Sequence, residues 1–336
     1  MAMITDAHVL RPEFVPSDVV HRDSEVRHLS KALRPITDGE PGETALLGGP
    51  SGAGKTCIAR FAVQRLRENA LGINTQYVNC WEDYSRFKTL YRLLKGIDRA
   101  FDVHRQSTPK DELLERLRDH DGSPYVVVLD EADQLDDTGV LYDLYRTTGL
   151  TMVLIANRRE DLFSRLDSRL VSRLQTTTHV RFEKYGFDAL VSILEDRVRW
   201  GLRESAISTD QLQTIADDAA GDARVAITVL RTAARRADQD DADSITDEDV
   251  AEAIPEAKAE ITQKSTRRLT DDQRTLYEIV TEHGEIAPGD LYERYTERVS
   301  SPRSKRMVRN YLRKLCHYNL LVAEGENRGR TYHSVS

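Results

Sequence analysis

An eight-residue run, Gly49-Pro50-Ser51-Gly52-Ala53-Gly54-Lys55-Thr56, leaves this chain few folds to choose from. A short apolar run, Thr44 to Leu47, precedes it, and Cys57-Ile58-Ala59-Arg60-Phe61 opens a helical pattern behind it. Glycine, four residues, then Gly-Lys-Thr between a strand and a helix is the pattern of a loop that wraps backbone N–H groups around phosphate. The helix N-terminus brings the positive end of its dipole to the same place. In such a loop Lys55 reaches the β- and γ-phosphates and Thr56 holds Mg2+, with Gly49 through Cys57 as the binding segment.

Further apolar, β-rich runs lie at Thr75 to Val78, Tyr125 to Leu129, Thr151 to Ile155 and His179 to Phe182, with helical patterns such as Cys57 to Glu68 and Asp111 to Asp119 between them. That alternation predicts an α/β domain, a parallel sheet with helices on both faces. The run Tyr125 to Leu129 ends in Asp130-Glu131, so a central strand delivers two carboxylates to the end of the sheet where ligands bind. Asp130 is the expected Mg2+ carboxylate, directly or through water, and Glu131 the group that polarises an attacking water. Asn157 follows the next strand. A neutral amide there suits the orienting of water beside the γ-phosphate, and it suits an ordinary turn equally well.

After Lys184 the pattern is helical only: Asp188 to Trp200, Thr209 to Ala219, Ala223 to Ala237 and Asp247 to Ala259. The acidic stretch Asp238 to Asp243 reads as a solvated connector. Beyond the polar segment Gln263 to Arg268 a third unit shows helices at Asp271 to His283, Pro288 to Arg298 and Ser304 to Tyr318, then two short strands. The expected division is a base at 1–183, an all-helical lid at 184–262 and a C-terminal unit at 266–336.

The three cysteines, Cys57, Cys80 and Cys316, form no CxxC pair, which argues against a disulfide framework or a zinc site and for reduced, mostly buried side chains. Met1 to Pro16 lacks the basic and apolar regions of a signal sequence, and no window is long and apolar enough for a membrane span. The expected location is therefore the cytoplasm. A net charge of -8 disfavours indiscriminate adhesion to polyanions, so any nucleic-acid site must be local.

The phosphate loop, the Asp-Glu strand and the strand-end Asn, in that order, resemble the AAA+ ATPases, and the helical segment after Lys184 looks like the AAA+ lid. Gly221-Asp222-Ala223-Arg224-Val225-Ala226-Ile227 resembles the sensor-2 motif of the archaeal origin-recognition and replication-initiator family, the Orc/Cdc type. The resemblance extends to Val78-Asn79-Cys80, to Pro16 through Asp23, and to a winged helix at the C-terminus, and so covers nearly the whole chain. It implies ATP or ADP as the nucleotide, Arg224 on the γ-phosphate, and His21 and Arg22 along the adenine side. It implies a homo- or hetero-oligomer in which Arg169 or Arg173 serves as an arginine finger for the neighbour's ATP. Origin DNA and the replicative helicase are the implied partners, with slow hydrolysis as a switch and a nucleoid-associated location. Trp81 to Arg105 has room for the helical insertion common in such initiators, although the chain is short for the family.

In the last unit Val308, Tyr311, Leu312 and Leu315 recur at helical spacing as a buried stripe, leaving Arg306, Arg309, Asn310 and Arg313 on the opposite face. That is the layout of a recognition helix. Arg328 and Arg330 lie near the tip of the hairpin that follows, the wing. From Arg294 to Arg330 ten Lys/Arg, Arg303 and Lys305 among them, face three Asp/Glu. A double-stranded DNA partner is the expectation. Two other classes fit the same parts: a transcriptional or signalling switch that never meets a helicase, and a motor that remodels protein or DNA. Promoter-only footprints favour the first and strong DNA-stimulated turnover the second.

Overall fold

The computed structural model describes residues 2–70, 72–104, 108–120, 122–318, 320–325 and 329–335. Its contacts divide the chain into two compact units, Met1–Ile254 and Pro255–Ser336.

The first unit is built on five parallel strands, β1 Ala45–Gly48, β2 Asn74–Asn79, β3 Tyr125–Asp130, β4 Leu150–Ala156 and β5 Thr178–Arg181. Their order across the sheet is β2-β3-β4-β1-β5. Every residue of β3 is buried. Its side chains alternate between two cores, Val127 and Leu129 on one face of the sheet and Val126 and Val128 on the other, which is why the run reads as continuously apolar. The helices around the sheet are α1 Asp23–Leu33, α2 Lys55–Asn69, α3 Arg86–Lys95, α4 Lys110–Arg118, α5 Gly139–Tyr145, α6 Arg159–Phe163 and α7 Ser168–Leu174. α1 and α2 cover the face holding Val126 and Val128, and α3, α4 and α5 the other. Of these, α3 lies inside the stretch Trp81 to Arg105 that had room for an insertion.

The helical segment follows as α8 Phe187–Gly201, α9 Thr209–Ala219, α10 Ala223–Gln239 and α11 Asp247–Arg267. Two features differ from the sequence expectation. The polar segment Gln263 to Arg268 is helical to Arg267, because it contains no glycine or proline and its residues continue the helix. The acidic stretch is only partly a connector, since α10 runs to Gln239 and Asp238 Oδ1 accepts a hydrogen bond from the Met3 N–H at 2.7 Å. The N-terminal segment is held against these helices: Met3 and Leu10 are fully buried, Ile4 bridges to Leu202, and Arg197 donates to the Val9 carbonyl at 2.7 Å. Nothing in its composition marked it as core.

The second unit contains α12 Asp271–His283, β6 Glu285–Ile286, α13 Pro288–Arg298, α14 Lys305–His317, β7 Leu321–Glu324 and β8 Thr331–Ser334. Three helices followed by a hairpin is the winged-helix order expected from the sequence. The sheet has a third strand, β6, that two residues of sequence did not reveal, and its order is β6-β8-β7. Val308, Leu312 and Leu315 are buried as expected, whereas Tyr311 is half-buried. Of the cysteines only Cys80 is fully buried; Cys57 and Cys316 are half-buried, and all three are free. Among the described residues no helix is long and apolar enough to cross a membrane.

Candidate nucleotide-binding site

The sheet order sets the site. β4 lies between β3 and β1, so the residue after β4 is placed beside both the loop after β1 and the carboxylates at the end of β3. Gly49, Gly52 and Gly54 adopt φ of 154°, 71° and 90°, backbone that a side chain would strain, and Gly54 leads directly into α2. Lys55 is buried at the start of that helix. Its Nζ donates to the Gly49 carbonyl at 2.6 Å, to the Pro50 carbonyl at 2.6 Å and to Asn157 Oδ1 at 2.7 Å. Burial lowers its pKa to about 8, against the opposing pull of Asp130, Asp133 and Glu131.

Thr56 Oγ1 donates to Asp130 Oδ2 at 2.6 Å, and the Tyr77 hydroxyl donates to the same oxygen at 2.7 Å. Burial first, then the Asp130 charge, push the Tyr77 phenol well above its ordinary pKa, so it remains a donor. Glu131, half-buried, sits in left-handed backbone at φ 57°, a strained conformation for a side-chain-bearing residue that turns the chain sharply at the end of β3. These oxygens are hard donors of the kind that bind magnesium together with phosphate, and the loop presents a helix N-terminus and a lysine. The residues present therefore fit a magnesium nucleotide.

From the lid side, Asp222 caps α10 by accepting from the Arg224 and Val225 N–H groups. The Ala223 N–H donates to the Gly52 carbonyl, and a methyl group on Gly52 would lie 1.9 Å from Asp222 Oδ1. Loop and lid are thus in direct contact. Arg224 Nη2 lies 3.6 Å from Asp222 Oδ2, its Nε is buried without a hydrogen-bond partner, and its charge helps lower the Lys55 pKa.

Of the two residues expected on the adenine side, His21 is exposed while Arg22 is buried. The reason is local. His21 adopts φ 61°, which turns its neighbour inward, and the Arg22 guanidinium then stacks 4.2 Å over the Tyr185 ring while donating to the Glu183 carbonyl and Glu25. Tyr185 was not singled out from the sequence. It follows β5, and a methyl group on Gly54 would lie 2.4 Å from its hydroxyl. A cleft of about 580 Å3 is lined in part by Gly49, Pro50, Asn157 and Arg158.

Arg169 and Arg173 are both exposed on α7. Arg173 lies 5.7 Å from the Tyr142 ring and 5.9 Å from the Tyr145 ring and donates to the Arg169 carbonyl, whereas among the described residues no aromatic ring braces the exposed Arg169 side chain. In the second unit Lys305, Arg306, Arg309, Asn310, Arg313 and Arg330 are exposed. Arg303 is exposed too, but its Nε pairs with Asp272 at 3.0 Å. Arg328 lies outside the described residues.

Residues 18–155 match the model of the AAA ATPase domain and residues 191–255 that of the Cdc6 AAA+ ATPase-type lid domain. ORC1-type DNA replication protein 9 of Halobacterium salinarum is 51% identical over 333 residues, 99% of this chain and 94% of that protein. The chain belongs to the archaeal Orc/Cdc6 family. ORC1-type DNA replication protein 1 of the same organism is 56% identical over 308 residues, 92% of this chain and all of the relative. Among solved structures, this Orc/Cdc6 chain is similar to the Aeropyrum pernix ORC1 protein in complex with DNA, with a TM-score of 0.78 and 26% identity over 98% of this chain and 93% of that one.

Proposed function

We propose that this chain is an ATP-dependent initiator of DNA replication that binds origin duplex DNA and helps to recruit or load the replicative helicase. The reading rests on one observation: Lys55, Thr56, Asp130 and Asn157 converge through hydrogen bonds of 2.6 to 2.7 Å in a chain of the Orc/Cdc6 family. The proposed division of labour is a base at 1–183, a lid at 184–262 and a DNA-binding winged helix at 266–336.

In this reading Gly49 through Cys57 wrap the phosphates, with Arg22 bracing the adenine side and His21 at its edge. Thr56 and Asp130 would hold magnesium, which offsets charge developing on the phosphates during hydrolysis. Glu131 polarises the attacking water, and Asn157 orients it while holding the Lys55 ammonium in place. Arg224 reads the γ-phosphate from the lid. Because Asp222 and Ala223 touch Gly52, occupancy of the loop is transmitted to the lid, and slow hydrolysis resets it. A neighbouring subunit in a homo- or hetero-oligomer supplies Arg169 or Arg173.

The basic face of α14, with Arg306, Arg309, Asn310 and Arg313, enters the major groove, while Lys305, Arg330 and, more weakly, Arg303 follow the phosphates. Such a protein works in the cytoplasm, on the nucleoid. Mapping of bound DNA across the genome, wild type against Lys55→Ala, tests the whole reading. Enrichment at origins that the variant loses supports it, and enrichment confined to promoters overturns it.

A further inference from the structure

Tyr77 belongs to none of the sequence motifs of the site, yet it is tied to the magnesium carboxylate as closely as Thr56 is. It stands on β2 opposite Val128 of β3, two residues before Asn79, which lies opposite Asp130. Its side chain runs along the α2 face of the sheet, packed against the core beneath that helix. The hydroxyl ends 2.7 Å from Asp130 Oδ2, the oxygen that also accepts from Thr56 at 2.6 Å. The Arg60 guanidinium lies 4.2 Å over the Tyr77 ring. Thr56 and Arg60 are four residues apart in α2, hence on one face of the helix. One helix face therefore grips the pair twice, Thr56 at the carboxylate and Arg60 at the ring.

We propose that Tyr77 is a positioning residue for magnesium: it gives Asp130 Oδ2 a second hydroxyl donor beside Thr56 and so fixes the carboxylate that would hold the cation, with Arg60 holding the ring in place. An aspartate at a strand end has rotamers to lose, and a carboxylate that must be reoriented at each binding event binds the cation less tightly. Two donors on one oxygen remove that freedom before the nucleotide arrives. The Arg60 charge above the ring face adds a cation–π contact that resists withdrawal of the phenol. This inference rests on the nucleotide reading of the site.

The test measures ATP affinity by calorimetry in magnesium and in EDTA. For Tyr77→Phe, which keeps the ring and the Arg60 stack, the gain in affinity brought by magnesium should fall about five- to tenfold, while affinity in EDTA stays within about twofold. Arg60→Met should lower the same gain by a smaller factor. In an Asp130→Asn background Tyr77→Phe should have no further effect, because its action runs through that carboxylate. A magnesium gain in Tyr77→Phe equal to that of the wild type, or an effect undiminished in the Asp130→Asn background, overturns the proposal. Wild-type protein whose ATP affinity is indifferent to magnesium would instead overturn the underlying assignment of Thr56 and Asp130.

Discussion

The Lys55 ammonium and the Asn157 amide oxygen are hydrogen-bonded at 2.7 Å, joining the end of the phosphate loop to the end of β4. The bond ties Asn157 to the lysine, apart from the water orientation proposed for it. Asn157→Ala is expected to keep ATP affinity within about threefold and to lower turnover about tenfold or more. Calorimetry and single-turnover hydrolysis separate the two effects, and an unchanged hydrolysis rate would remove Asn157 from the site.

Lys55 also makes the site sensitive to pH. Burial lowers its pKa from 10.5 to about 8, so between those values the unfolded chain carries a proton that the folded chain has released. The unliganded protein should therefore gain stability as pH rises through that window. ATP affinity should move the other way, falling above about pH 8 as the ammonium that meets the phosphates is lost. Calorimetry at pH 7 to 9.5 in buffers of different ionisation enthalpy should reveal proton uptake on binding above pH 8. Affinity that stays flat to pH 9.5 counts against a charged Lys55–phosphate contact.

Gly52 is the point of the loop that meets Asp222 and Ala223 of the lid. Gly52→Ala places a methyl group 1.9 Å from Asp222 Oδ1 in backbone at φ 71°, so either the loop strains or the lid withdraws. The expected outcome is a loss of ATP affinity of about tenfold or more with the sheet still folded. Limited proteolysis of the lid, compared with the melting temperature, reads the two parts separately.

About five phosphate contacts across this basic unit would give a slope of log K against log salt of about -4 to -5. Lys305→Ala should reduce that slope by about one. Arg303→Ala should change it less, since its guanidinium already pairs with Asp272. Equal losses from the two variants would contradict this ranking.

The aromatic brace on Arg173 leaves Arg169 the better placed of the two to reach a neighbour. Arg169→Ala should lower concentration-dependent hydrolysis several-fold with ATP affinity unchanged, and Arg173→Ala should do less. Mixing Arg169→Ala with Lys55→Ala protein should restore part of the activity, because the intact site of the Arg169→Ala subunit then faces the intact Arg169 of the Lys55→Ala subunit. A larger loss from Arg173→Ala would reverse the order.

What the sequence determined by itself was whatever is local along the chain. The loop from Gly49 to Thr56 is contiguous, Asp130-Glu131 closes an uninterrupted apolar strand, and the α14 stripe repeats at helical spacing, so each was visible as a pattern. Residues that meet across elements left no such trace. Tyr77 reaches Asp130 from a strand 53 positions away, Arg22 closes on Tyr185 because His21 takes left-handed backbone, and the N-terminal segment becomes core only by lying against α8 and α10. Tertiary structure alone decided these, because a hydrogen bond or a buried contact depends on distance in space, and strand order sets that distance without leaving a period in the sequence.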